Sequence, residues 1–191
     1  MKPLLLLLSV TLGCHAAGPE QRAPIIQRLA TTAPAITTTK ADIDSTAKIR
    51  ESLGKAHKIF VYEGLPHQMF EADLLKAEKK LEDTLKIGGF PFYAPKVVAP
   101  DKIAKTLREL AASPESYAVF SGEKRCGGFH PDYAATWFDS GKEHSILFCY
   151  GCVEALIVDG KKTYRYDFTR IADLRKLLAP FKSKRPTKPK G

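Results

Sequence analysis

Between residues 117 and 168 five short runs, YAVFSG, DYAATWF, SILFCYG, CVEALIV and KTYRYDF, concentrate Val, Ile, Phe, Tyr and Trp. Such side chains suit a pleated, half-buried surface, and runs this short are the length of strands. The breaks between them include SGEK, DSGKEH and DGKK, whose Asp, Ser and Gly residues reverse a strand. Asp159-Gly160 is a pair that type I′ hairpins prefer. This half of the chain therefore predicts an antiparallel β-meander.

Helical periods surround it. ADIDSTAKIRESLGKA spaces Ile43, Ala47, Ile49 and Leu53 as one short helix ending near Gly54, and KIFVYEGL reads as a buried strand that leaves through Gly64 and Pro66. Phe70, Leu74, Ala77, Leu81 and Leu85 recur at helical spacing, with Lys and Glu on the other face. FPFYAPKVV is extended but interrupted by Pro91 and Pro95, which predicts an edge strand or a draped segment. Asp101 opens a helix through Ile103, Leu107, Leu110 and Ala111, and Pro114 ends it. TRIADLRKLLAPF closes the domain with Ile171, Leu174, Leu177 and Leu178 on one face. The expected fold class is α+β, an antiparallel sheet with helices packed on one face. Residues 42–181 are enough for a single domain with one core.

The two ends have a different character. MKPLLLLLSVTLGCHAAG has one early cation, an apolar run from Leu4 to Leu12 and then small residues, the pattern of an export leader over residues 1–17. The run is far shorter than the roughly 20 apolar residues of a transmembrane helix. Cleavage after Ala16 or Ala17 would release a soluble protein. Cleavage before Cys14 would use Val10-Thr11-Leu12-Gly13-Cys14, which resembles the bacterial lipobox with Thr11 where Leu is usual. Lipidation at Cys14 is the favoured expectation. Residues 18–41, rich in Ala, Thr and Pro, read as a tether.

The formal net charge of +9 sits at these ends. Residues 169–191 carry eight basic side chains against Asp173, whereas residues 41–168 are nearly neutral. The segment 182–191 is expected as a disordered basic tail that, with the acyl chain, contacts an anionic membrane surface. It offers no aromatic residue for stacking on bases, and an exported protein meets little DNA, so no nucleic-acid partner is expected. No protein partner can be named from the sequence.

CGGFHPDY at 126–133 and CYGC at 149–152 hold the three body cysteines and His130. The odd count leaves one thiol over if a disulfide joins Cys126 to Cys149 or to Cys152. The alternative is a Cys3His zinc site made by Cys126, His130, Cys149 and Cys152, with zinc as the one cofactor considered. A redox-catalytic CxxC normally opens a helix whose N-terminus lowers the thiol pKa. Here strand continues on both sides. Glu63 and His67 in YEGLPH, and Asp132 beside His130, are the candidate acid-base residues, although strand ends gather polar groups without catalysis.

VYEGLPH, GFPFY, SGEKRCGGFHPDY and a CxGC pair together resemble an uncharacterised family of small exported bacterial proteins, over most of residues 57–168. The resemblance implies a shared domain design with the same leader and tether, and carries no activity. The functional expectation is an exported, lipid-anchored cell-envelope protein, leaning away from enzymes, whose Cys/His cluster stabilises the domain through a disulfide. The alternative is zinc binding, or a hydrolytic or thiol-dependent enzyme using a cleft of Glu63, His67, Cys126 and His130.

Overall fold

The computed structural model describes residues 40–80 and 83–186. The leader with Cys14, the tether up to residue 39, Leu81 and the tail from residue 187 lie outside the described residues.

The meander forms as expected from β6 (Tyr133–Asp139), β7 (Lys142–Cys149), β8 (Glu154–Asp159) and β9 (Lys162–Phe168). Ser140 and Gly141 both take positive φ, as a type I′ turn requires, and Asp139 pairs with Lys142 across it. At the second hairpin Asp159 is instead the last paired strand residue, opposite Lys162. Gly160 takes the first central position and is the turn's only positive-φ residue, which is the II′ pattern in place of the expected I′.

Three more strands complete a seven-stranded, wholly antiparallel sheet in the order β4-β1-β6-β7-β8-β9-β5. β1 (Phe60–Glu63) lies against β6, and the short β4 (Val97–Val98) covers its free edge. β5 (Tyr117–Val119) pairs with β9 at the opposite edge. The chain must therefore travel from one edge of the sheet back to β6, four interstrand steps or about 19 Å. Residues 120–132 make that crossing, and they carry Cys126, His130 and Asp132.

One face of the sheet is the helix face. Val61, Ala135, Trp137, Ile146, Phe148, Ile157, Tyr166 and Phe168 alternate onto it by the two-residue period of a strand. α2 (Ala47–Lys55) brings Ile49 and Leu53, α4 (Asp101–Ala111) brings Leu107, and α5 (Ile171–Leu178) brings Leu174 and Leu178. Each of these leucines is fully buried, a contribution of about 1.5–3 kcal/mol apiece. The helix expected across residues 41–56 is divided at Thr46 into α1 (Lys40–Ser45) and α2. Thr46 Oγ1 bonds the Ile43 carbonyl at 3.1 Å, shares a hydrogen with Tyr166 Oη at 3.0 Å and accepts from Arg50 at 2.7 Å. A buried threonine that bonds the preceding turn bends a helix where it sits.

The opposite face corrects the expectation for residues 70–85. Among the described residues of this stretch only Ala72–Glu78 is helical (α3), and its inward residue is Leu75, packed with Leu65 and Tyr93, while Phe70 is exposed. Leu85 belongs to β2 (Thr84–Ile87), which forms a hairpin with β3 (Phe90–Tyr93). Gly88 and Gly89, both at positive φ, make the two-residue turn. Ile87 and Phe92 pack this hairpin on Tyr62, Ala134, Leu147 and Leu156, so it covers the face the helices leave open. The crossing loop lies on this face too, with Phe129 against Phe90 at 5.3 Å and Lys124 on Asp167 at 3.0 Å.

The segment expected to be disordered from residue 182 begins bound to the domain. Glu63, buried beside Tyr133 at the end of β1, accepts the backbone N–H groups of Ser183 at 3.0 Å and Lys184 at 2.7 Å.

Candidate cleft at the end of the sheet

β7 ends at Cys149, and a four-residue turn, Tyr150–Val153, leads into β8. The crossing loop meets this turn. Cys126 is bonded to Cys152, with Cα atoms 5.7 Å apart, and Cys149 is left as a buried thiol. The disulfide thus takes the second of the two pairings open from the sequence. It also consumes two of the four ligands of the Cys3His site, since a sulfur in a disulfide is not a thiolate donor. Among the described residues no group of three or more His, Cys, Asp or Glu is arranged to hold a metal ion.

Beside the disulfide opens a cleft of about 310 Å³, whose walls include His67, Cys126, His130, Asp132 and Cys149. Tight backbone packing brings these segments together. Gly64 follows β1 and donates its N–H to the Asp132 carbonyl at 2.8 Å, and a Cβ at Gly64 would lie 2.0 Å from the Pro131 oxygen. Only glycine allows YEGLPH and FHPDY to approach so closely. Gly127, at φ +78°, is pressed in the same way against His67 and Met69.

The imidazoles of His67 and His130 lie 4.6 Å apart at 44°. His130 Nε2 is 2.8 Å from the Leu65 carbonyl, which can only accept, so the proton is on Nε2. His67 Nδ1 accepts the Met69 N–H at 3.0 Å, which places the proton of the neutral ring on the opposite nitrogen. Burial is the main cause that pushes both rings below the ordinary histidine range. For His130 the Asp132 carboxylate opposes that shift, while His67 and Arg185 add to it. Both imidazoles are neutral at pH 7.

The carboxylates are committed to backbone groups and to one cation. Asp132 accepts the Tyr150 N–H at 2.7 Å and Arg185 at 3.1 Å. Glu71 accepts the His67 N–H at 2.8 Å and the other arm of the Arg185 guanidinium. Arg185, from the C-terminal segment, therefore bridges the α3 end and the crossing loop across the cleft. Glu63 is the sequence candidate that the structure sets apart: it is not on the cleft wall and instead anchors the chain that delivers Arg185.

Glu71 and Arg185 are the site residues that sequence reasoning missed. A usable signal was present in the segregation of charge, with a nearly neutral body and a strongly basic C-terminus. Cys149 is 2% exposed, and burial is the main cause that pushes its thiol up; the backbone of His130 and Cys152 opposes that shift. At neutral pH it is a protonated thiol and not a ready nucleophile. No family model, curated protein or solved structure compared with the chain matches it.

Proposed function

We propose that this chain is an exported, lipid-anchored protein of the cell envelope, whose disulfide-bonded domain presents the His67/His130 cleft as a ligand-binding surface. The observation that carries the reading is the Cys126–Cys152 bond, because structural disulfides persist in oxidising compartments and are rare where glutathione keeps thiols reduced. The leader-like start, the lipobox-like Val10–Cys14 and the resemblance of the YEGLPH and CGGFHPDY motifs to small exported bacterial proteins point the same way. Among the described residues no helix is long and apolar enough to cross a membrane, so attachment in this reading rests on an acyl group at Cys14. Lys188 and Lys190 would add attraction to anionic headgroups.

Binding is favoured over hydrolytic or thiol-dependent catalysis because, among the described residues, neither cysteine on the cleft wall is a ready nucleophile at neutral pH and the acid-base groups already have protein partners. Both histidines are fixed by backbone contacts, Asp132 is paired with Arg185, Cys126 is bonded, and Cys149 is protonated. Expression with the native leader, followed by fractionation and intact-mass measurement, tests the localisation. The wild-type protein is expected in the membrane fraction with a diacyl mass increment. Cys14→Ser should shift it to the soluble fraction. Unchanged retention and unchanged mass in that variant would overturn lipidation.

A further inference from the structure

The β7–β8 turn holds a thiol next to a residue already engaged in a disulfide. Cys149 is free, and Cys152, three residues on, is bonded to Cys126. The Cys152 N–H donates to Cys149 Sγ at 3.3 Å, which turns that sulfur toward the residue carrying the bond. Cα atoms three residues apart in a chain reversal lie within about 7 Å, and a disulfide needs about 4.4–6.8 Å. The short span and the N–H contact on Cys149 Sγ therefore put the two residues within reach of one another for a disulfide. Cys149 and Cys126 also share the cleft wall, so the leaving sulfur has somewhere to go.

We propose that the three sulfurs form an exchangeable set: the Cys149 thiolate attacks Cys152 Sγ, a Cys149–Cys152 bond forms, and the Cys126–Cys152 bond breaks to release Cys126. One S–S bond replaces another, the proton lost by Cys149 is matched by the one Cys126 takes up, and no outside oxidant or reductant is needed. The cleft then has two covalent states. In the first the crossing loop is tethered to the turn. In the second the loop is held only by non-covalent contacts, including Lys124 to Asp167 and Phe129 to Phe90, and Cys126 becomes a thiol on the cleft wall beside His67. That thiol is a modification site for an incoming disulfide.

The groups facing Cys149 set the pace. Asp132 and Glu154 disfavour its thiolate, in the same direction as burial, whereas backbone contacts from His130 and Cys152 favour it, and Arg185 is occupied by Glu71 and Asp132. Exchange should therefore be slow at neutral pH and rise about tenfold per pH unit while the thiolate remains the minor form.

The test uses the full oxidised chain, incubated at about pH 9, quenched in acid, alkylated with N-ethylmaleimide in denaturant and mapped without reduction. The expected result is a time-dependent Cys149–Cys152 peptide together with alkylated Cys126, at a rate independent of protein concentration. Cys149→Ser should show only Cys126–Cys152 throughout. Alkylation confined to Cys149 in the wild type at every time point, or a rate proportional to protein concentration, would overturn the proposal. Cys126→Ser gives an independent reading: after air oxidation it should contain the Cys149–Cys152 bond, and two free thiols in the folded variant would contradict the geometry.

Discussion

Two glycines ten residues apart have opposite consequences if replaced. Gly54 lies inside α2, where a Cβ would meet its nearest neighbour, Ala112 Cβ, at an ordinary 3.7 Å. Gly54→Ala should therefore stabilise the protein by about 0.5–1 kcal/mol, through the smaller entropy lost in forming the helix. Gly64→Ala would drive a methyl group into the Pro131 carbonyl, so β1 and the crossing loop must separate. A loss of about 3 kcal/mol is expected, with the cleft disturbed as well. Urea denaturation of both variants checks the signs. The histidines contribute a pH dependence of definite direction. His67 and His130 are both held below their ordinary value, so below about pH 6.5 the unfolded chain binds protons that the folded chain refuses. Their contribution is complete above that pH and is lost as the pH falls through the window beneath it. Unfolding free energy measured from about pH 7 to 5 should decline, and the decline should be shallower in His67→Asn/His130→Gln. An equal slope in the two proteins would show that the rings do not carry the effect.

At the scale of elements, the C-terminal segment changes status most between sequence and structure. Deleting residues 187–191 removes none of the contacts described above, whereas deleting 183–191 strips Glu63 of two backbone donors and Glu71 and Asp132 of Arg185. The longer deletion should cost about 1–3 kcal/mol more than the shorter one, because a buried carboxylate loses its partners. Equal melting temperatures would contradict the docked segment. The meander was legible because each of its runs carries a period and a turn of its own. α4 and α5 were legible for the same reason. β2 was hidden because Leu85 continued a helical spacing from Phe70, although Gly88-Gly89 was a hairpin signal strong enough to break that series. The partnership of β5 with β9 was not legible at all, since a short strand fits either edge and the choice rests on long-range packing of Tyr117 against Tyr166 and Phe168. That partnership sends the crossing loop over the β7–β8 turn. For the cleft, His67, His130, Asp132 and the cysteines could be named from sequence, but their meeting depended on an unforeseen strand order.

For the whole molecule, the disulfide links the helix-bearing sheet to the loop that walls the cleft. The bonded residues are 26 apart in sequence, and closing a loop of that length in the unfolded chain corresponds to about 3.5 kcal/mol of stabilisation. Reduction should therefore lower the denaturation midpoint while leaving the core in place, since it stands on the buried leucines and aromatic residues of the helix face. The same bond connects the fold to the proposed location, because it would not persist in a reducing cytosol. The most direct measurement is thiol counting and non-reducing peptide mapping, with metal analysis, on protein taken from its native compartment under acid quench. A Cys126–Cys152 peptide, one thiol at Cys149 that alkylates only after unfolding, and no stoichiometric zinc are the predicted result. Three alkylatable cysteines without reduction, together with one bound zinc per chain, would contradict it.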